Sequence, residues 1–486
     1  MRIGSGRPRL GELVALPLWL VVLVGLLATL SLFAHFLMPG TRWVLRRRVY
    51  RVIEDVNSRL NIELPPFLLT KRDRLIDRLI YDDRVLEAAA DTAAERDVPQ
   101  QVVVEEVRGY AEEIVPGFNA YFYFRLGYRV ARRFIRFFYR VRLGYADYKA
   151  LDGVRSDVSM VLVINHRSNF DYLLVTYLAS RRAALSYAAG EWTLFWPVAN
   201  LLRAMGAYFV RRNSRNPLYR RVVERYVQLA VEGRVPQAIF PEAGLSQDGG
   251  LRTPRAGLID YMMRGFDVEK SPDIVFIPIG LNYDRVVEDR TLLLHGDEAL
   301  ISQRGTTFIL RSTIAFFVRT SLELLHGRRQ RFGRACANFG SPVSLKAWLS
   351  ANGVELTGID RETRYAVSMK LVTELMGDVG RLIPVLPVSL IATAVAESAD
   401  RSLSELDLKA RVHRLIGAFE STGAHVYVPF GEESRAVSDG LQLLLKRRIL
   451  LEDPPGRYKV NPEERKLLDF YARPVNHLLP GQEAAS

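Results

Sequence analysis

Cysteine is almost absent from this chain of 486 residues: Cys336 stands alone, so no disulfide can form within it and nothing calls for an oxidising compartment. Histidine is sparse. The seven (His35, His166, His295, His326, His413, His425 and His477) are scattered, with no His/Cys pair at zinc-ligand spacing, and no structural zinc site is expected. Glycine (34) and proline (23) show no excess, and there is no repeat or low-complexity tract, which removes the collagen-like and disordered classes. What remains is a folded chain, 49% hydrophobic and 25% charged, too long for one core and expected to form roughly three or four structural units. Its net charge, 67 − 54 = +13, attracts something anionic. Charge alone does not separate a nucleic acid from a lipid surface or a phosphorylated substrate.

Between Leu13 and Thr41, 29 residues carry no formal charge unless His35 is protonated, and about 20 suffice for a helix to cross the hydrocarbon core. A membrane span is expected, with residues 1–45 as the anchor. Two rivals are a signal peptide, since Arg2, Arg7 and Arg9 precede the run, and a re-entrant hairpin broken at Pro17. The run is long for a signal core, however, and ends without a small-x-small cleavage site. Arg42, Arg46, Arg47, Arg48 and Arg51 outnumber the three arginines in front of it, and the bulk of the chain is expected on the cytoplasmic side of a cell (inner) membrane.

Residues 46–145 read as a helical N-terminal domain, with apolar residues such as Val85, Leu86, Ala89, Ala90 and Ala93 at helical spacing. Its end lacks acid: residues 118–145 hold seven arginines, eleven aromatics and no Asp or Glu. Arg125, Arg129, Arg132, Arg136 and Arg140 recur at steps of four and three, and Leu126, Val130, Phe134, Phe137 and Val141 do so on another face. An amphipathic helix lying in the headgroup layer of an anionic membrane fits this pattern, as does a helix packed on its own domain. A basic RNA-binding helix is the third reading, opposed by the lack of any nucleic-acid motif, and no nucleic-acid partner is expected.

Beyond Tyr145 the texture changes. Short β-branched runs at 158–164, 207–210, 237–240 and 273–281 are separated by stretches long enough for helices, the signature of an α/β layer fold with a mostly parallel sheet over 146–345. Residues 346–486 read as a helical C-terminal domain with one β-hairpin near 450–460, turned at Asp453-Pro454-Pro455-Gly456.

The run at 158–164 leads directly into NHRSNFDYLL, residues 165–174. His166 therefore falls at the C-terminal end of a buried strand, where open α/β sheets hold their ligands, and Asp171 falls in the first turn of the next helix. A carboxylate so placed can accept one imidazole N–H and leave the other nitrogen as a base. The same pair also fits a satisfied core histidine beside an aspartate favoured by the helix dipole. No Cys or Ser stands in a nucleophile setting.

These residues resemble a known family, the membrane-bound glycerolipid acyltransferases, and within it the glycerol-3-phosphate and dihydroxyacetone-phosphate acyltransferases. The family's H-x-x-x-x-D block appears as His166 to Asp171. Three more blocks follow in family order: GAYFVRR at 206–212, IFPEAGLS at 239–246 continuing through GGLRTPRAG to 257, and FIPIGLNYDRV at 276–286. NFGSPVSL (338–345) and IPVLPVSLIATAV (383–395) extend the resemblance to roughly residues 120–470.

The resemblance implies acyl transfer from acyl-CoA or acyl-carrier protein to glycerol 3-phosphate, without a cofactor or metal. His166 would be the general base and Asp171 its orienting partner. Arg212, and more weakly Arg211, would bind the acceptor phosphate; Glu242, Gly244, Ser246 and Arg255 of the third block would complete the substrate site, with Pro278 shaping the donor side. The chain departs from the family's Phe-x-Glu-Gly-x-Arg-Ser run at Ala243 and at Leu245, where the family carries a phosphate-holding arginine. Either Arg252 or Arg255 takes over that task, or the acceptor is another alcohol, or the chain is a catalytically weak membrane scaffold. If the phosphate site persists, an arginine restored at 245 is expected to tighten it.

Overall fold

The structure is a computed structural model describing residues 65–120, 122–179, 185–190, 202–211, 214–294, 332–398, 401–428 and 433–481. The expected membrane span over 13–41 and Arg212 both lie outside these residues. Among the described residues, no helix is long and apolar enough to cross a membrane.

An eight-stranded sheet runs through the middle of the fold in the order β1-β7-β6-β2-β5-β3-β4, with β8 also on β6. Its strands are β1 (Arg140–Ala146), β2 (Ser159–Ile164), β3 (Ser186–Gly190), β4 (Tyr208–Val210), β5 (Gln237–Ile239), β6 (Ile274–Tyr283), β7 (Arg334–Phe339) and β8 (Val343–Ser344). Strand β2 pairs in parallel with β5 and β6, and β3 in parallel with β4 and β5. Only β6–β7 and β6–β8 are antiparallel, so the sheet is mixed but mostly parallel, as the alternation of strands and helices requires.

Apolar side chains alternate across the strands, as the two-residue pleat dictates. Leu162 and Ile164 of β2 join one core with Ile277, Ile279 and Leu281 of β6, whereas Val161 and Val163 join another with Ile274 and Phe276. The first core is closed by the helices Tyr128–Phe138, Asp171–Ala179, Pro387–Ala396 and Arg465–Asn476, the second by Gln100–Ile114, Pro217–Glu232, Gly257–Met263 and Arg361–Arg381. Both faces of the sheet are therefore covered, and ligands are left its strand ends.

Three sequence expectations change. The segment 118–145 is not one helix. A π-helical turn (Phe122–Gly127) leads into the helix Tyr128–Phe138, and the chain then extends as β1, pairing with β7 from Arg140↔Arg334 onward. Arg140 accordingly leaves the arginine face and lies 2.9 Å from Asp439. The helix uses Ala131, Ile135 and Phe138 for the core and exposes Arg129, Val130, Arg132, Arg133, Phe134 and Arg136, so it is packed on its own domain and still presents a basic, partly apolar outer face. None of Arg129, Arg132, Arg133 and Arg136 forms an ion pair with a described residue.

The second change concerns Pro278, inside a central strand where proline is normally excluded. Its carbonyl accepts from Gly340 N at 2.9 Å, so its missing N–H faces the gap where the partner of β6 changes from β8 to β7. The third concerns the hairpin, β10 (Leu450–Glu452) with β11 (Arg457–Val460), which gains β9 (Leu403–Ser404) to become a three-stranded sheet.

Candidate active site

Strand β2 ends at Ile164, and the next six residues turn into the helix that starts at Asp171. Asn165 fixes the end of the strand: its amide donates to Leu281 O (3.0 Å) and accepts from Leu281 N (2.7 Å), clamping β2 to β6. His166 and Asp171 are both buried, with Nδ1 2.9 Å from Oδ2. The same oxygen accepts the N–H groups of Arg167 (2.7 Å) and Ser168 (3.0 Å). Asp171 thus caps its own turn while holding the imidazole in one tautomer, which leaves Nε2 for the cavity that His166 lines.

That cavity, about 460 Å³, opens at the C-terminal ends of β3, β4 and β5. Phe240, 4.3 Å from the imidazole between ring centres, Tyr172, Val210, Leu258 and Tyr261 give it apolar walls. Its charged lining residues are Arg211, Arg252 and Arg255; no carboxylate lines it among the described residues. Such a lining suits an anion whose body is apolar or carries hydroxyls.

The other site residues expected from sequence divide into those at the cavity and those behind it. Gly244, Arg211 and Arg255 line it. Arg211 is engaged elsewhere, with its guanidinium fork on Glu113 (2.9 and 2.5 Å) and its ring contacts to Tyr110 and Tyr219. Glu242 does not line the cavity. One oxygen accepts His166 N (2.8 Å) and the other Arg252 N (3.0 Å), making it a brace between two loops. Burial pushes its pKa up to about 7, against the lowering effect of those two donors. Ser246 is also internal: its N–H donates to His166 O (2.9 Å) and its hydroxyl bonds Gly250 O and Gly249 N. Pro278 lies within the sheet, away from the cavity lining.

The two departures in the third block have different consequences. Ala243 has φ 53°, the left-handed region natural to glycine, so its Cβ strains the turn by about 1–2 kcal/mol. Leu245 does not line the cavity. It is half-buried against the apolar core, with its carbonyl 3.3 Å from Arg252 Nη1. The packing of Leu245 favours an outcome other than tighter phosphate binding by an arginine at 245. Leu245→Arg should lower the melting temperature, through a loss of about 1–3 kcal/mol, without lowering KM for glycerol 3-phosphate. Thermal unfolding and steady-state kinetics on the same preparation check this.

Four residues escaped the sequence reading. Tyr283, the last residue of β6, donates to Asp171 Oδ1 at 2.7 Å. Glu288 accepts Ser168 Oγ (2.8 Å) and Asn169 N (3.2 Å) in the turn, and burial pushes its pKa up to about 7. Arg167 is fully buried, lies over the Phe470 ring and donates to Gly249 O, with its pKa lowered by desolvation. Asn165 is the fourth. Its signal, and that of Tyr283, was a polar residue at the end of an apolar strand in the period-two register.

A histidine–aspartate pair at a parallel-strand end, beside an arginine-lined cavity, sets a base next to a site for an anion. The matches to known families agree: residues 147–282 match the Acyltransferase family and residues 321–479 the glycerol-3-phosphate acyltransferase C-terminal region. The relatives narrow this further, for the chain is similar to bacterial proteins named glycerol-3-phosphate acyltransferase. It is 28% identical to that of Pseudomonas putida (strain GB-1), over 69% of this chain and 40% of that one, and 27% identical to that of Pseudomonas entomophila (strain L48), over 85% and 50%. With that of Alteromonas mediterranea it shares 24% identity over 99% of this chain and 61% of the relative. The chain thus spans about half the length of the curated relatives it matches. Among solved structures, the 1-acyl-sn-glycerophosphate (LPA) acyltransferase of Thermotoga maritima gives a TM-score of 0.27 at 17% identity, over 51% of this chain and 78% of that one, too slight a likeness to bear on the fold.

Proposed function

We propose that this chain transfers an acyl group from a thioester donor, acyl-CoA or acyl-carrier protein, to a hydroxyl of glycerol 3-phosphate. The observation that carries the reading is the His166–Asp171 pair at one wall of a cavity lined by arginines and by no described carboxylate. His166 Nε2 takes the hydroxyl proton as the alkoxide oxygen attacks the thioester carbonyl carbon. The tetrahedral intermediate then expels the thiolate, which recovers that proton from the imidazolium, and Asp171 stabilises the charged ring in between. Arg252 and Arg255, both on the cavity lining, hold the acceptor phosphate with guanidinium forks that match its geometry. The membrane fraction, given labelled acyl donors with glycerol 3-phosphate, dihydroxyacetone phosphate or glycerol, should form 1-acyl-glycerol 3-phosphate most rapidly. A product formed equally well from glycerol would remove the phosphate from the reading.

The setting is the cytoplasmic face of a cell membrane, supported by the uncharged run at 13–41 and by the outer face of the helix Tyr128–Phe138. Four arginines there attract anionic lipid, and Val130 and Phe134, both exposed, can enter the interface. A chain lacking residues 1–45 should therefore still sediment with anionic vesicles. Salt should release it as the screening length falls from about 10 Å at 0.1 M to about 3 Å at 1 M. Replacing Arg129, Arg132, Arg133 and Arg136 by glutamate should abolish sedimentation; unchanged binding would move the contact elsewhere.

A further inference from the structure

Asp171 is fully buried and accepts four hydrogen bonds from two sources. His166 Nδ1, Arg167 N and Ser168 N all belong to its own turn and all meet Oδ2. Oδ1 is met from a different element, by the Tyr283 hydroxyl at the end of β6. The placement of that phenol is set by the sheet, because Tyr283 faces Ala335 in the β6–β7 register. Its neighbours follow the pleat away from the turn: Asn282 donates to Pro384 O (2.9 Å), and Asp284 accepts Val388 N (3.1 Å). The Tyr283 ring is itself packed 5.4 Å from Tyr139, whose hydroxyl donates to Arg285 O at 2.8 Å. Burial, followed by the Asp171 charge, raises the Tyr283 pKa far above the usual tyrosine value, so the phenol remains a donor.

We propose that Tyr283 is a positioning residue for acyl transfer, pinning Oδ1 of Asp171 so that Oδ2 stays on His166 Nδ1. This rests on the reading of His166 as the base. A carboxylate held on one oxygen only can rotate about its Cβ–Cγ bond and exchange its oxygens among the donors of the turn. With Oδ1 fixed by the sheet, rotation would break a bond at a fully buried carboxylate, and a buried acceptor without a donor is strongly disfavoured. Tyr283 has no place on the cavity lining, and its effect on the reaction passes through Asp171 alone.

Tyr283→Phe removes one oxygen and keeps the ring packing, which makes it the test. Acyl transfer should fall about tenfold in kcat, the size of one lost hydrogen bond of about 1.4 kcal/mol, while KM for glycerol 3-phosphate changes less than twofold. In an Asp171→Asn background the same substitution should cost less than twofold, because residues acting as one unit do not add. A second readout needs no turnover: the low-field proton resonance of the His166–Asp171 hydrogen bond, assigned by its disappearance in His166→Gln. In Tyr283→Phe that line should shift or exchange with solvent at least about tenfold faster, as for the loss of roughly 1.4 kcal/mol of constraint. An unchanged resonance overturns the proposal, as does multiplication of the two kcat effects. A wild-type chain without transferase activity overturns the base reading instead, and the resonance then decides the positioning role by itself.

Discussion

His166→Ala is expected to lower kcat by about a hundredfold or more, with both KM values within a factor of two, the pattern left by a lost general base. The imidazole is buried, bonded to Asp171 and 4.3 Å from the Phe240 ring, so truncation also empties part of the cavity wall. His166→Asn fills more of that space and should fail equally in kcat while melting closer to wild type. Retention of more than about half the wild-type rate in either variant would show that the pair only secures the turn between β2 and its helix.

The second large effect is on binding. Replacing Arg252 and Arg255 together by alanine removes two of the three arginines on the cavity lining, and the third is held by Glu113. Each charge-assisted hydrogen bond to a phosphate is worth about 1.5–3 kcal/mol, so the double variant should raise KM for glycerol 3-phosphate by at least about a hundredfold. Its kcat at saturation, and its activity on glycerol, should be nearly unchanged. A glycerol 3-phosphate KM that stays put would mean that the phosphate is read elsewhere, and Arg212→Ala then becomes the discriminating variant.

Much of the site was legible because its chemistry is local. His166 and Asp171 are five residues apart, and a strand-to-helix turn at that spacing can bring only a few atoms together. The four mainly apolar runs at 158–164, 207–210, 237–240 and 273–281 all became strands, since both faces of the sheet are covered. Strand β1 was not legible. RVRLGYA continues the arginine and aromatic spacing of the preceding helix, and only pairing with β7, almost two hundred residues later, extends it. Long-range pairing also decides where the polar side chains of the third block end. Glu242 and Ser246 look like ligands in a motif, yet their polar atoms are occupied by the backbone of His166, Arg252 and neighbouring loop residues. Composition cannot report which way a side chain turns once a loop is closed.

Among the described residues, the two matched segments are packed together at two separate places. Gly280 of β6 lies so near the Leu382–Ile383 backbone that a Cβ would come within 2.3 Å of the Leu382 carbonyl carbon, and Asn338 and Asn282 donate to Leu382 O and Pro384 O. At the other end, Phe470 lies over Arg167 beside the catalytic turn, its carbonyl occupies the space a side chain at Gly249 would need, and Tyr471 accepts Val286 N. The two matched segments therefore share one core and hydrogen bonds across their boundary. A fragment ending near residue 345 would leave Ile277, Ile279 and Leu281 without their cover, and the helices after it would have no sheet to close on. Heat or denaturant should take both parts through one shared transition, and a lesion in the last helix should be felt at His166 as surely as one in the turn that holds it.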